Sequence, residues 1–119
     1  TSICAATARL RCVISSICYL NGTTNPAKAG QVKAKILVLN GADDPFIPAE
    51  SIAAFKQEMN AAKADYKFVN YPGAKHSFTN PDADAYGKKF NMPMAYHAEA
   101  DKQSWAEMSK FFRELFKKK

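Results

Sequence analysis

Two side chains in this sequence could do chemistry together: Asp44, in "NGADDPFIP", and His76, in "YPGAKHSF", 32 residues further on. A carboxylate beside an imidazole accepts the Nδ1 proton and fixes the tautomer. It also stabilises the imidazolium that forms when Nε2 takes a proton from a nucleophile. The chemistry on offer is therefore acid–base assistance to a nucleophilic attack, provided the chain brings the two residues to one place.

The segments ahead of each residue decide that. "KILVLN", Lys35 to Asn40, is an apolar run without alternation, the pattern of a strand covered on both faces in a parallel sheet, and it ends at Gly41. From Pro48 to about Lys63, Ile52, Phe55, Met59 and Ala62 recur at helical spacing, with Pro48 suited to a first turn. "DYKFVNY", Asp65 to Tyr71, returns to strand character, so the segment reads as a βαβ unit with a right-handed crossover. In an open parallel sheet the carboxyl ends of the strands share one edge, where ligands gather, and Asp44 and His76 can meet there.

The rest of the chain frames this unit. "CVISSICYL", Cys12 to Leu20, is expected to be a first strand closed by Asn21-Gly22, and residues 21–31 read as a surface loop. Residues 72–96, rich in Pro, Gly, Asn and Asp, read as a long irregular segment of the kind that forms part of a site. From about Glu99 a final helix carries Trp105, Met108, Phe112 and Leu115 on one face, expected to pack in the core.

Composition narrows the function classes. A chain of 119 residues with 47% hydrophobic and 12% aromatic content fits one packed domain. Its apolar stretches fall short of the roughly 18 to 20 residues of a membrane helix, and no basic-then-apolar signal opens it, so a cytoplasmic protein with no membrane partner is expected. Seventeen Lys and Arg against eleven Asp and Glu give +6, but the basic residues are scattered, and their one cluster, Lys117-Lys118-Lys119, closes the last helix. No aromatic and basic interleaving accompanies them, so no nucleic-acid partner is expected. Cys4, Cys12 and Cys18 form no CxxC pair and have no His at metal-like spacing; neither zinc nor a disulfide framework is indicated. Asp82 and Asp84 lack a calcium loop's ligands and read as loop solvation, while His97 reads as an exposed residue opening the final helix.

Three stretches resemble one known family, the dienelactone hydrolases. "KAKILVLNGADDPFIPAESIAAFKQEM" is similar to that family's acid strand, acid loop and following helix. "YKFVNYPGAKHSFTNP" is similar to its base strand and histidine loop, and "YHAEADKQSWAEMSKFFRELF" to its last helix. The resemblance implies an α/β chain with a partial α/β-hydrolase fold, mainly a parallel sheet with flanking helices. It implies one domain over residues 1–119, with 32–119 family-like and 1–31 divergent. The family's catalytic Asp falls on Asp44, which the G-x-x-D register selects over Asp43, and its catalytic His falls on His76. The implied activity is hydrolysis of a small-molecule ester or lactone through an acyl-enzyme, with neither cofactor nor metal.

The chain departs from the family at the nucleophile. The family's cysteine stands on an elbow, G-x-C-x-G, and this chain has neither that pattern nor G-x-S-x-G. Cys4, in "TSICAATARL", is the only cysteine early enough to be considered, and its neighbours are Ile3 and Ala5. The chain is therefore expected to correspond to the family's C-terminal half and, with an apolar strand at its open edge, to form a homodimer or need a separate N-terminal partner. The alternative is a non-catalytic remnant or assembly module that keeps the packing and has lost the chemistry.

Overall fold

The computed structural model describes the backbone of Cys12–Ser15 and residues 27–117. Its elements run β1 (Cys12–Ser15), β2 (Lys35–Gly41), α1 (Ala49–Ala61), β3 (Tyr66–Tyr71), α2 (Ala83–Phe90) and α3 (Ala98–Phe116). The strands form one sheet in the order β1-β2-β3. β1 pairs parallel to β2, Cys12 opposite Lys35 and Ser15 opposite Val38. Beside β3, Ile36 donates to Asp65 at the start of β2 and Ala42 donates to Tyr71 just past its end, so these two strands also ascend together. Residues 16–20, where the first strand was expected to continue, and Cys4 lie outside the described residues.

The chain divides into two compact units. The first holds the described residues up to Val38 together with Ile47–Val69. Its core is Leu37, Val38, Ile47, Met59 and Ala62, with Leu37 and Ala62 wholly buried. The expected helix repeat is therefore realised: Met59 and Ala62 are buried, Ile52 and Phe55 half-buried, and Phe55 meets Tyr66 and Phe68 at 5.8 and 6.1 Å between ring centroids. α1 stops where Lys63 enters the left-handed region at φ 53°.

The second unit holds Leu39–Phe46 and Asn70 onward. Leu39, Tyr71, Ala74, Phe78, Ala83 and Ala100 form its apolar core. Three expectations are corrected here. Residues 72–96 are not irregular throughout, because α2 occupies Ala83–Phe90. Asp82 stands at its N-cap position, Asp84 lies in its first turn, and Lys88 and Lys89 lie in its last. The two aspartates are thus not plain loop solvation: the charges follow the helix dipole. Asn91, at φ 50°, ends the helix in the left-handed conformation that Asn tolerates. Nor is Trp105 a core residue: it is 60% exposed, Met108, Phe112 and Leu115 are half-buried, and the buried positions of α3 are the small Ala100 and Ser104. Among the described residues no helix is long and apolar enough to cross a membrane.

Burial, and secondarily the Glu107 carboxylate, push the Tyr71 hydroxyl above its ordinary 10.0. Tyr96 is raised in the same direction, first by the hydrogen bond that it donates to Asp101. Below pH 10 both folded and unfolded chains keep these protons. Above it the unfolded chain releases them first, so stability falls as pH rises toward the folded-state values. Urea midpoints are expected to decline above about pH 10, and Tyr71→Phe should make that decline shallower; an unchanged slope would show that Tyr71 does not contribute.

Candidate active site

The acid loop begins where β2 ends. Ala42 donates to the Tyr71 carbonyl at 2.9 Å, Asp43 to the Ala74 carbonyl at 3.0 Å, and Asp44 back to the Gly41 carbonyl at 3.2 Å. These bonds stitch the acid loop to the turn that follows β3. The approach is so close that a Cβ on Gly41 would lie 2.5 Å from the Ala74 oxygen. Asn40, buried at the end of β2, is satisfied through Nδ2, which donates to the Gly41 carbonyl and to Asn70 Oδ1.

The base loop starts at Pro72-Gly73. Ala74 is wholly buried, and Phe78 is buried with its ring 5.6 Å from that of Tyr71, so the residues around His76 are anchored by packing. Asp44 and His76 come together: Nδ1 of His76 is 2.9 Å from Oδ2 of Asp44. The other carboxylate oxygen, Oδ1, accepts the Phe46 backbone N–H at 2.9 Å, a turn that an aspartate makes with the residue two positions on. The Asp44 side chain is 7% exposed and that of His76 22%, so the carboxylate is sheltered while the imidazole reaches the surface.

That geometry fixes proton positions. An ionised carboxylate can only accept, so the Nδ1 of His76 donates and Nε2 is left as the ring's basic nitrogen. A hydrogen bond to a charged group contributes about 1.5 to 3 kcal/mol, enough to hold one tautomer. Phe46 meets the imidazole edge to face at 5.0 Å and 77°, with 45% of the residue exposed, and so sets an apolar wall beside the ring.

The other candidates fall differently. Asp43 is exposed and its backbone, not its carboxylate, serves the site. Cys4 lies outside the described residues. His97 opens α3 as expected but is half-buried, not exposed, because its ring caps the helix by accepting from Ala100 N–H. Sequence reasoning missed Phe46 and the stretch 94–97, which lies along the histidine loop through the bridge between His76 and Met94. The pattern Asp-Pro-Phe was a readable signal for the first, since aspartate two residues before a backbone N–H favours such a turn. Backbone pairing such as that of 94–97 leaves no residue signature.

Comparison with known proteins places this geometry in context. Residues 8–116 match the dienelactone hydrolase family. An uncharacterized Caenorhabditis elegans protein is 30% identical over 87% of this chain and 66% of its own length. An Escherichia coli K12 protein whose name assigns it as a carboxymethylenebutenolidase is 33% identical over 84% of this chain and 34% of its own. The crystal structure of a dienelactone hydrolase-like promiscuous phosphotriesterase from metagenomic libraries superimposes with a TM-score of 0.67 at 38% identity, covering 73% of this chain and 35% of that one. The chain thus spans about two thirds of the first relative and about a third of the other two. The shared architecture is part of the α/β-hydrolase fold.

Proposed function

The chain belongs to the dienelactone hydrolase family, and from that membership we propose that Asp44 and His76 are the acid and base of a site that hydrolyses a carboxylic ester or lactone. The observation that carries this reading is the 2.9 Å contact between the sheltered Asp44 carboxylate and Nδ1 of His76.

In the reaction, Nε2 of His76 takes the proton of a thiol or hydroxyl nucleophile as that atom attacks the ester carbonyl carbon. The Asp44 carboxylate stabilises the imidazolium without taking its proton. Collapse of the tetrahedral intermediate breaks the bond to the alkoxide, which leaves with the proton from Nε2, and the acyl group stays on the nucleophile. A water then gives a proton to the same nitrogen as it attacks the acyl carbon; the nucleophile recovers that proton and the carboxylic acid departs. In a lactone both products remain one molecule. A butenolide, the ring in the Escherichia coli relative's name, is such a lactone. Cys4 is the nucleophile candidate that the sequence offers.

The missing G-x-C-x-G pattern favours a second reading, a non-catalytic module that keeps the acid and base loops as packing. Hydrolysis of p-nitrophenyl acetate and of a butenolide by the purified chain separates the two. Turnover that is lost in His76→Ala and Asp44→Asn supports the hydrolase. If Cys4→Ala also loses it, the nucleophile is Cys4. No turnover above buffer supports the non-catalytic reading of these residues, and turnover indifferent to His76 removes His76 from the proposed role.

A further inference from the structure

The backbone next to His76 is held in an uncommon conformation. Ser77 has φ 59°, in the left-handed region that a residue with a Cβ keeps only when its surroundings hold it there. Two hydrogen bonds bracket it: the His76 carbonyl accepts from Ala95 N–H at 3.3 Å, and the Phe78 carbonyl accepts from His97 N–H at 3.0 Å. Both donors belong to the short stretch that leads into α3.

His97 does more than supply one of these bonds. Its Nδ1 accepts the Ala100 N–H at 3.2 Å, capping α3. Its ring also lies against the turn before His76: a Cβ on Gly73, which stands at φ +78°, would come within 3.2 Å of Nε2 and 3.7 Å of Cδ2. One residue thus meets the chain three residues before His76 through its ring and two residues after it through its backbone N–H, and ties both to the first turn of a 19-residue helix. Tyr96 adds a second tie to the same turn through its hydroxyl, which donates to Asp101 at 2.9 Å.

We infer that His97 is a positioning residue: it holds the strained loop so that His76 keeps its Nδ1 on Asp44. This rests on the reading of His76 as the base, and its test is spectroscopic, so the two can fail separately. The chain has two histidines, and the geometry gives them opposite tautomers. His97 accepts at Nδ1 and carries its proton on Nε2, whereas His76 carries its proton on Nδ1.

Nitrogen–proton correlation spectra of the imidazoles in the full chain read this directly. In the wild type His76 is expected in the Nδ1–H form, with that proton slowed in exchange. His97→Ala should speed its exchange tenfold or more and mix the tautomers. His97→Asn keeps a capping oxygen for Ala100 but is too short to rest on Gly73, so it should hold the melting temperature near that of the wild type and still speed the His76 exchange several-fold. An unchanged His76 in His97→Ala overturns the inference, as does a fully restored His76 in His97→Asn, which would leave His97 a helix cap alone. A wild-type His76 without an Nδ1 proton overturns the acid–base reading itself and the inference with it.

Discussion

Asp44→Asn is expected to lower ester or lactone turnover by about three to four orders of magnitude with little change in KM or melting temperature. Asparagine keeps the shape of the side chain, and its carbonyl oxygen can still accept from Phe46 N–H, as Oδ1 does now at 2.9 Å. That leaves the amide NH2 toward His76 Nδ1, where Oδ2 now sits 2.9 Å away. A donor facing a donor turns the ring to the other tautomer, with its proton on Nε2 and no basic nitrogen aimed at the nucleophile. Rate constants with p-nitrophenyl acetate, taken beside thermal melts, check both halves of the expectation. A variant that keeps more than a tenth of the rate while remaining folded would mean that the carboxylate does not set the tautomer.

Gly41→Ala is expected to cost about 3 kcal/mol, an overpacking penalty with no side chain able to yield, and to lower the melting temperature by roughly 10 to 20 °C. The new methyl would sit 2.5 Å from the Ala74 oxygen, 2.9 Å from its carbonyl carbon and 2.9 Å from the Lys75 oxygen. All three are backbone atoms in the turn that leads to His76, so either the end of β2 or that turn must move. The Ala74 oxygen also accepts from Asp43 N–H, so the displacement breaks a bond that holds the acid loop to the base loop. Turnover should fall with stability, even at temperatures where the variant is still folded. A melting temperature within a few degrees of the wild type would show that the two loops have slack that this packing does not suggest.

The parts of the fold that positioned Asp44 and His76 were legible because their signals are hydrophobic. The unbroken apolar run of β2 meant burial on both faces, and Leu37, Val38 and Leu39 are indeed buried. Ile52, Phe55, Met59 and Ala62 repeat every three or four residues because one face of α1 is covered. α2 offered no such pattern. Its aromatic residues Tyr86 and Phe90 stack on one another at 6.2 Å while staying exposed, and Gly87 in its interior lowers helix propensity. The stripe on α3 misled for a related reason. Periodicity marks large apolar residues, whereas the buried positions are Ala100 and Ser104, too small to stand out. Within the site, Asp44 and His76 carry chemical signatures, but the bonds that hold them run through the backbone of Phe46, Ala95 and His97 and could not be read from residue types.

The central claim is that His76, held by Asp44, acts as the base, and the rate of p-nitrophenyl acetate hydrolysis by wild type and by a folded His76→Ala, measured side by side, tests it most directly. A general base takes the nucleophile's proton as the bond to the carbonyl carbon forms, so its removal leaves that proton with no acceptor. The expected result is a wild-type rate well above the buffer background and a His76→Ala rate that stays near it. Equal rates in the two chains would contradict the claim.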